Sequence, residues 1–239
     1  MNFTKLNLSR YRTQLGLLTI FALILASFML TSPRVFLRPT IYLAFLSTVP
    51  FVGIMGLGLT LVLISGEIDM SFPSVMAFSG YVCATIFSAT GSIVLGVVGG
   101  LASGAGIGAL NGTLIRRIGI PSIVVTLGMM FLIRGCINVL SGGLGKSFTV
   151  LIGHPLHSAL VGKIGGFIPA QSVWFVALTV ILWLILFRHK FGNYVLFVGD
   201  NEGAARMMGI NVDRTKTIVF ILMGTLAAFA GLIDSFRML

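Results

Sequence analysis

One stretch of the chain, Leu140-Ser141-Gly142-Gly143-Leu144-Gly145-Lys146-Ser147, carries the glycines, ammonium and hydroxyl with which a loop can cradle phosphate. A true phosphate-binding loop also needs a glycine where Leu140 stands, a buried strand before it and a helix after it. Here an apolar run precedes it and no carboxylate stands ready for magnesium, so any ATP hydrolysis is expected in another chain. His154 and His157 flank Pro155 and Leu156, but a zinc site needs three or four ligands and no others lie nearby. No metal and no cofactor is expected. Serine-nucleophile chemistry needs a base at the same depth. Ser79 sits within an apolar run and none of the three histidines does, so the chain is read as no enzyme.

Four other polar residues lie in or beside apolar runs: Glu67, Asp69, Asn111 and Arg134. A charge held in hydrocarbon costs about 2.5–3.5 kcal/mol on insertion scales, so a retained one usually serves a transport path or a partner. Glu67 and Asp69 fall at a run boundary and also fit an ordinary interfacial turn. Arg134 is close enough to the outer end of its run to snorkel over about 9 Å. Asp234, in the last run, has no assignment.

The most polar stretch is 188–216, RHKFGNYVLFVGDNEGAARMMGINVDRTK, with eight charged residues among 29 and half of the chain's six acidic residues. Asp200 or Asn201 can cap a short helix over about 201–208, and Glu202 suits its positive end. Gly209 can close that helix in the left-handed conformation, with Ile210 supplying the contact that follows such a cap. Asn211 or Asp213 can start the next helix. Ala204, Ala205 and Met208 form a small apolar face with no membrane to enter, which favours docking to a cytoplasmic partner.

The elements that position these residues are membrane helices. The chain is 56% hydrophobic and 9% charged, in apolar runs near the 20 residues that a helix needs to cross about 30 Å of hydrocarbon. Seven runs can be drawn: about 14–31, 40–65, 72–90, 91–115, 122–140, 172–187 and 217–237. The second holds Pro50 and Gly53 and is expected to kink or break. The fold class is therefore all-α, a polytopic membrane bundle over 14–239, with a cytoplasmic N-terminus at 1–13 that leads into a retained signal anchor.

With that terminus inside, ten Lys and Arg fall in cytoplasmic pieces and four outside, which the positive-inside rule requires. The loop 188–216 is then cytoplasmic and the loop 141–171 external. The net charge of +10 is explained by these span ends, so no nucleic acid is expected. Cys83 and Cys136 sit in apolar runs and say nothing of compartment. Gly96, Gly100, Gly104, Gly108 and Gly112, each four apart, make a stripe that lets another helix approach closely. Packing within the subunit is the favoured use; a subunit interface or path lining is the other.

The stretch FGNYVLFVGDNEGAARMMGINVDRTKTIVFILMGTLAAFAGLI resembles the coupling-loop region of the ribose-type sugar permeases of bacterial ABC importers. Its matching positions are Gly199, Asn201, Ala204, Ala205, Gly209, Ile210, Asn211 and Val212, with Glu202 and Arg206 between them. SGEIDMS at 65–71, the stretch 111–135 and SGG at 141–143 resemble the same family in the same order. The resemblance implies an inner-membrane subunit, two copies of which pair as a homo- or heterodimer among membrane lipid. It also implies a cytoplasmic ABC ATPase subunit as partner and an extracytoplasmic sugar-binding protein as donor. Two departures stand out: Phe72-Pro73-Ser74 replaces a smaller stretch, and family members run on through further spans where this chain stops at Leu239, which with the odd span count is expected of a truncated permease. An ion-coupled carrier using Glu67, Asp69, Arg134 and Asp234, or a non-transporting scaffold, are the alternatives.

Overall fold

The computed structural model describes residues 12–144 and 154–238, and their helices follow from the apolar runs. Among the described residues, seven helices are long and apolar enough to cross a membrane. The chain divides into two compact units at Phe45 and Leu46.

The first unit holds α1 (Arg12–Thr31), which has no buried residue, the short α2 (Pro33–Phe36) and the start of α3 (Pro39–Ile64). The Phe28 ring stacks on Phe36 at 5.0 Å, and the Tyr42 hydroxyl donates to the Phe36 carbonyl at 2.7 Å. Of the two expected outcomes at Pro50, a kink or a break, the break does not occur: α3 is helical without interruption through it. Proline removes one amide donor, a loss that a membrane helix tolerates when its neighbours re-satisfy the freed group.

The second unit contains the rest of α3, α4 (Phe72–Thr90), α5 (Ile93–Thr113) with a wider π turn over Leu114–Ile118, and α6 (Ser122–Ser141). Next come α7 (Pro155–Val161), the two-residue strands β1 (Lys163–Ile164) and β2 (Ile168–Pro169), and α8 (Ala170–Arg188). The described part of the loop 141–171 thus holds regular structure. His154 caps α7, its Nδ1 accepting from the Leu156 amide at 3.2 Å, and His157 lies edge-on to Phe236. Of the phosphate-loop look-alike, Gly142 and Gly143 end α6, while Gly145, Lys146 and Ser147 lie outside the described residues.

The last three helices are α9 (Lys190–Asp200), α10 (Glu202–Met207) and α11 (Val212–Arg237). The core of the unit is α11: 61% of its apolar window is buried, against 22–33% for the other spans there. The glycine stripe explains that position. A Cβ on Gly108 would stand 2.2 Å from the Phe220 carbonyl, and one on Gly104 would stand 2.4 Å from the Gly224 carbonyl. Gly224 faces back, its Cβ position 2.2 Å from the Gly104 carbonyl. Gly96 and Gly100 meet Cys83 and Ser79 of α4 in the same way, and Gly112 meets Thr217. Backbone-to-backbone contact of this kind replaces the hydrophobic drive that lipid does not supply.

Candidate coupling site

The polar stretch 188–216 is built largely of helix rather than loop. His189 caps α9 by accepting from the Phe191 amide at 3.1 Å, and α9 turns Gly192, Val195 and Val198 inward. This helix is absent from the sequence reading, although Phe191, Val195 and Val198 recur at helical spacing. Gly199 fits directly under the end of α3, where a Cβ would lie 1.7 Å from the Ile64 carbonyl.

Asn201 is extended, and its side chain accepts from the Ala204 amide at 2.9 Å, which makes it rather than Asp200 the cap of α10. Gly209 takes φ +80°, and the Ile210 amide reaches back to the Ala205 carbonyl at 3.0 Å. That pair of features is the left-handed stop with its long return hydrogen bond. Asn211 then caps α11, accepting from the Arg214 amide at 2.9 Å.

The apolar face of α10 needs correcting. Ala205 is buried with Val198, Val212 and Ile210 in a small core of its own, so it faces inward. Ala204 is half-buried, and Met207 and Met208 are the side chains turned to solvent, 86% and 62% exposed. The last span also begins earlier than its apolar run, at Val212 rather than 217, which brings Asp213 and Lys216 into α11.

Lys216 is buried, and its Nζ donates to Glu67 Oε1 at 2.6 Å and also to Glu202 Oε1. Arg116, on the π turn after α5, reaches three carboxylates: Glu202 Oε2 at 3.2 Å, Asp213 Oδ1 at 2.9 Å and Glu67 Oε1 at 3.9 Å. Arg206 of α10 closes the set with Asp213 Oδ1 at 3.0 Å. Three cations and three anions thus tie α10 to α5, to α11 and to the 65–71 turn. A buried pair with both partners present is close to neutral in energy, whereas removing one partner strands the other. Burial works to raise the Glu202 carboxyl, but the hydrogen bond and charge of Lys216, with those of Arg116, outweigh it and hold Glu202 below the usual carboxylate range.

The 65–71 turn is gripped from a second side. Asp69 is buried and accepts from the Ser71 amide at 2.7 Å and the Ser71 hydroxyl at 2.6 Å, while Asn111 Nδ2 donates to that hydroxyl at 3.0 Å. Desolvation pushes the Asp69 carboxyl up, and the Ser71 hydrogen bonds only partly oppose it. The Ile68 amide donates to Ser122 Oγ at 3.1 Å, so the start of α6 is bound to the same turn. Glu67 and Asp69 are therefore buried in an inter-helix joint and are not an exposed interfacial turn. Of the four polar residues singled out in the sequence, Glu67, Asp69 and Asn111 come together, while Arg134 stands apart, exposed on α6. Asp234 lies 3.6 Å from Arg237, one turn along α11.

Residues 41–238 match the family model described as the permease component of a branched-chain amino acid transport system. The chain belongs to this permease family. The permease is 35% identical over 235 residues to the L-arabinose ABC transporter permease protein of Azospirillum brasilense, covering 93% of this chain and 64% of that one. It is 32% identical over 240 residues to the ribose import permease protein of Escherichia coli strain K12, covering 99% and 72%. With the xylose/arabinose import permease protein of Sulfolobus acidocaldarius it shares 31% over 195 residues, 79% of this chain and 53% of that one. The chain thus spans about two thirds of the length of the first two relatives. No solved structure matches it. With seven membrane-length helices among the described residues, the permease is a multi-pass inner-membrane protein.

Proposed function

We propose that this permease is the transmembrane subunit of an ATP-driven importer that moves a sugar inward, with α10 as the helix a cytoplasmic ATPase subunit grips. The relatives named for arabinose, ribose and xylose support a pentose or similar carbohydrate over the amino acid of the family's description. The observation that carries the coupling role is α10 itself: capped at both ends, seated on its own small core, and presenting Met207 and Met208 to solvent. Flexible, polarizable methionines suit a docking surface. Displacement of α10 would pass through Glu202 to Lys216 and Arg116, and so to α11, α5 and the 65–71 turn. A second permease copy, identical or related, completes the membrane part, and an extracytoplasmic binding protein delivers the sugar.

A gradient-driven carrier needs its carboxylates in the path at mid-depth. Glu67 instead pairs with Lys216 at span ends that the charge count puts toward the cytoplasm, which favours the ATP-driven reading. Uptake of labelled pentoses by cells expressing the permease with its neighbouring transport genes decides between them. Uptake abolished by ATP depletion and insensitive to proton and sodium ionophores is expected; the reverse pattern overturns the proposal.

A further inference from the structure

A cleft of about 450 Å³ opens between the end of α5 and the start of α11, and its lining changes character along its length. Arg116, Arg117 and Arg214 stand at one end with Asp213, and Ile218 and Ile221 line the other. Arg214, Ile218 and Ile221 are four and seven residues apart on one face of α11, so the groove runs about 10 Å along the helix axis into the span. Asp213 is already engaged by Arg116 and Arg206, and Arg116 is shared among three carboxylates. Arg117 and Arg214 are exposed and make no ion pair among the described residues, so the mouth keeps a net positive charge. A second cleft, of about 430 Å³, lies on the other side of Arg214 and Ile218 and adds Lys190 and Tyr194.

Cations at the membrane surface that give way to isoleucines toward the hydrocarbon match an amphiphile with an anionic head. Charge counting puts these span ends at the cytoplasmic face, where anionic headgroups lie. We propose that the groove between α5 and α11 is a binding site for an anionic phospholipid of the inner leaflet, with Arg117 and Arg214 holding the phosphate and Ile218 and Ile221 an acyl chain. The site requires that the chain spans the membrane with these ends at the cytoplasmic face and does not depend on what is transported. Because its wall is the Asp213–Arg116 pair, a bound lipid would steady the ionic joint beside α10.

The test uses the full chain in detergent, titrated with dioleoylphosphatidylglycerol and read by native mass spectrometry. Each basic residue at such a surface contributes about fivefold, so Arg117→Gln with Arg214→Gln is expected to weaken binding about 30-fold. Arg188→Gln, at the end of α8 and outside the groove, should leave it unchanged. Charge reversal in Arg117→Glu should weaken it beyond the effect of Arg117→Gln alone, and glycerol 3-phosphate at millimolar concentration should not displace the lipid. Equal losses in Arg188→Gln and the paired variant would reduce the effect to general surface charge and overturn the site. Displacement by the soluble phosphate would make it a soluble-anion site. Unchanged lipid affinity in the paired variant, with loss of a co-purified ATPase, would assign the groove to that protein instead.

Discussion

At the residue scale, Lys216 decides most. It enters the sequence as one of ten cytoplasmic charges, yet it is 3% exposed and bound to two carboxylates. Lys216→Met leaves Glu67 buried with only the longer Arg116 contact, and breaking a buried pair costs about 3–5 kcal/mol. Thermal unfolding in detergent should register that loss, and adding Glu67→Leu should recover most of it; a strictly additive double variant would mean that the pair is not coupled. Glu202 gives a pH signature. Its native pKa is lowered, so its contribution is present above the unfolded value of about 4.3 and lost as the pH falls through the native one. The difference in melting temperature between the wild type and Glu202→Gln should hold from pH 7 to about 5 and shrink below about 4.3. Asp69 has the opposite sign, its native pKa being raised: its contribution is present at low pH and lost as the pH rises through the native value.

At the element scale, the five-glycine stripe and the Gly209 stop carry the geometry. Gly104→Val forces a side chain into the Gly224 carbonyl and the Ala228 methyl, and overpacking of this kind typically costs about 1–3 kcal/mol. Gly106→Val on the same helix meets nothing within 4 Å and should be silent, so melting temperatures of the two variants separate packing from helix propensity. At Gly209, with φ +80°, a β-branched residue is disfavoured by about 1–2 kcal/mol while asparagine is tolerated. Gly209→Val should therefore lower the stimulation of a partner ATPase more than Gly209→Asn. Equal effects of the two would remove the cap from the account of α10. These elements were readable because caps, glycine spacing and apolar runs are local. The burial of Lys216 was not: the cap at Asn211 marks where α11 starts, but hydropathy leaves Asp213, Arg214 and Lys216 outside the apolar run, and what draws Lys216 inward is Glu67, 149 residues away. Packing between helices also hid Ala205, whose partners Val198 and Val212, each seven residues away, lie on two other helices.

At the scale of the whole molecule, the ionic joint gathers the ends of α5 and α11 and the 65–71 turn around α10. Two independent grips hold the 65–71 turn: the charges of Lys216 and Arg116 on one side, and Ser122 with Asn111 on the other. Motion imposed on α10 therefore has a packed route to α5, α6 and α11. In the proposed coupling the route begins at Met207 and Met208, and its direct test is photocrosslinking in native membranes from an unnatural residue at position 207. The predicted result is a nucleotide-sensitive crosslink to an ABC ATPase subunit that is lost in Met208→Asp and retained in Gly106→Val. Crosslinks that reach only lipid or the permease itself, with the same ATPase captured from position 188 instead, would contradict the assignment of α10 as the coupling helix.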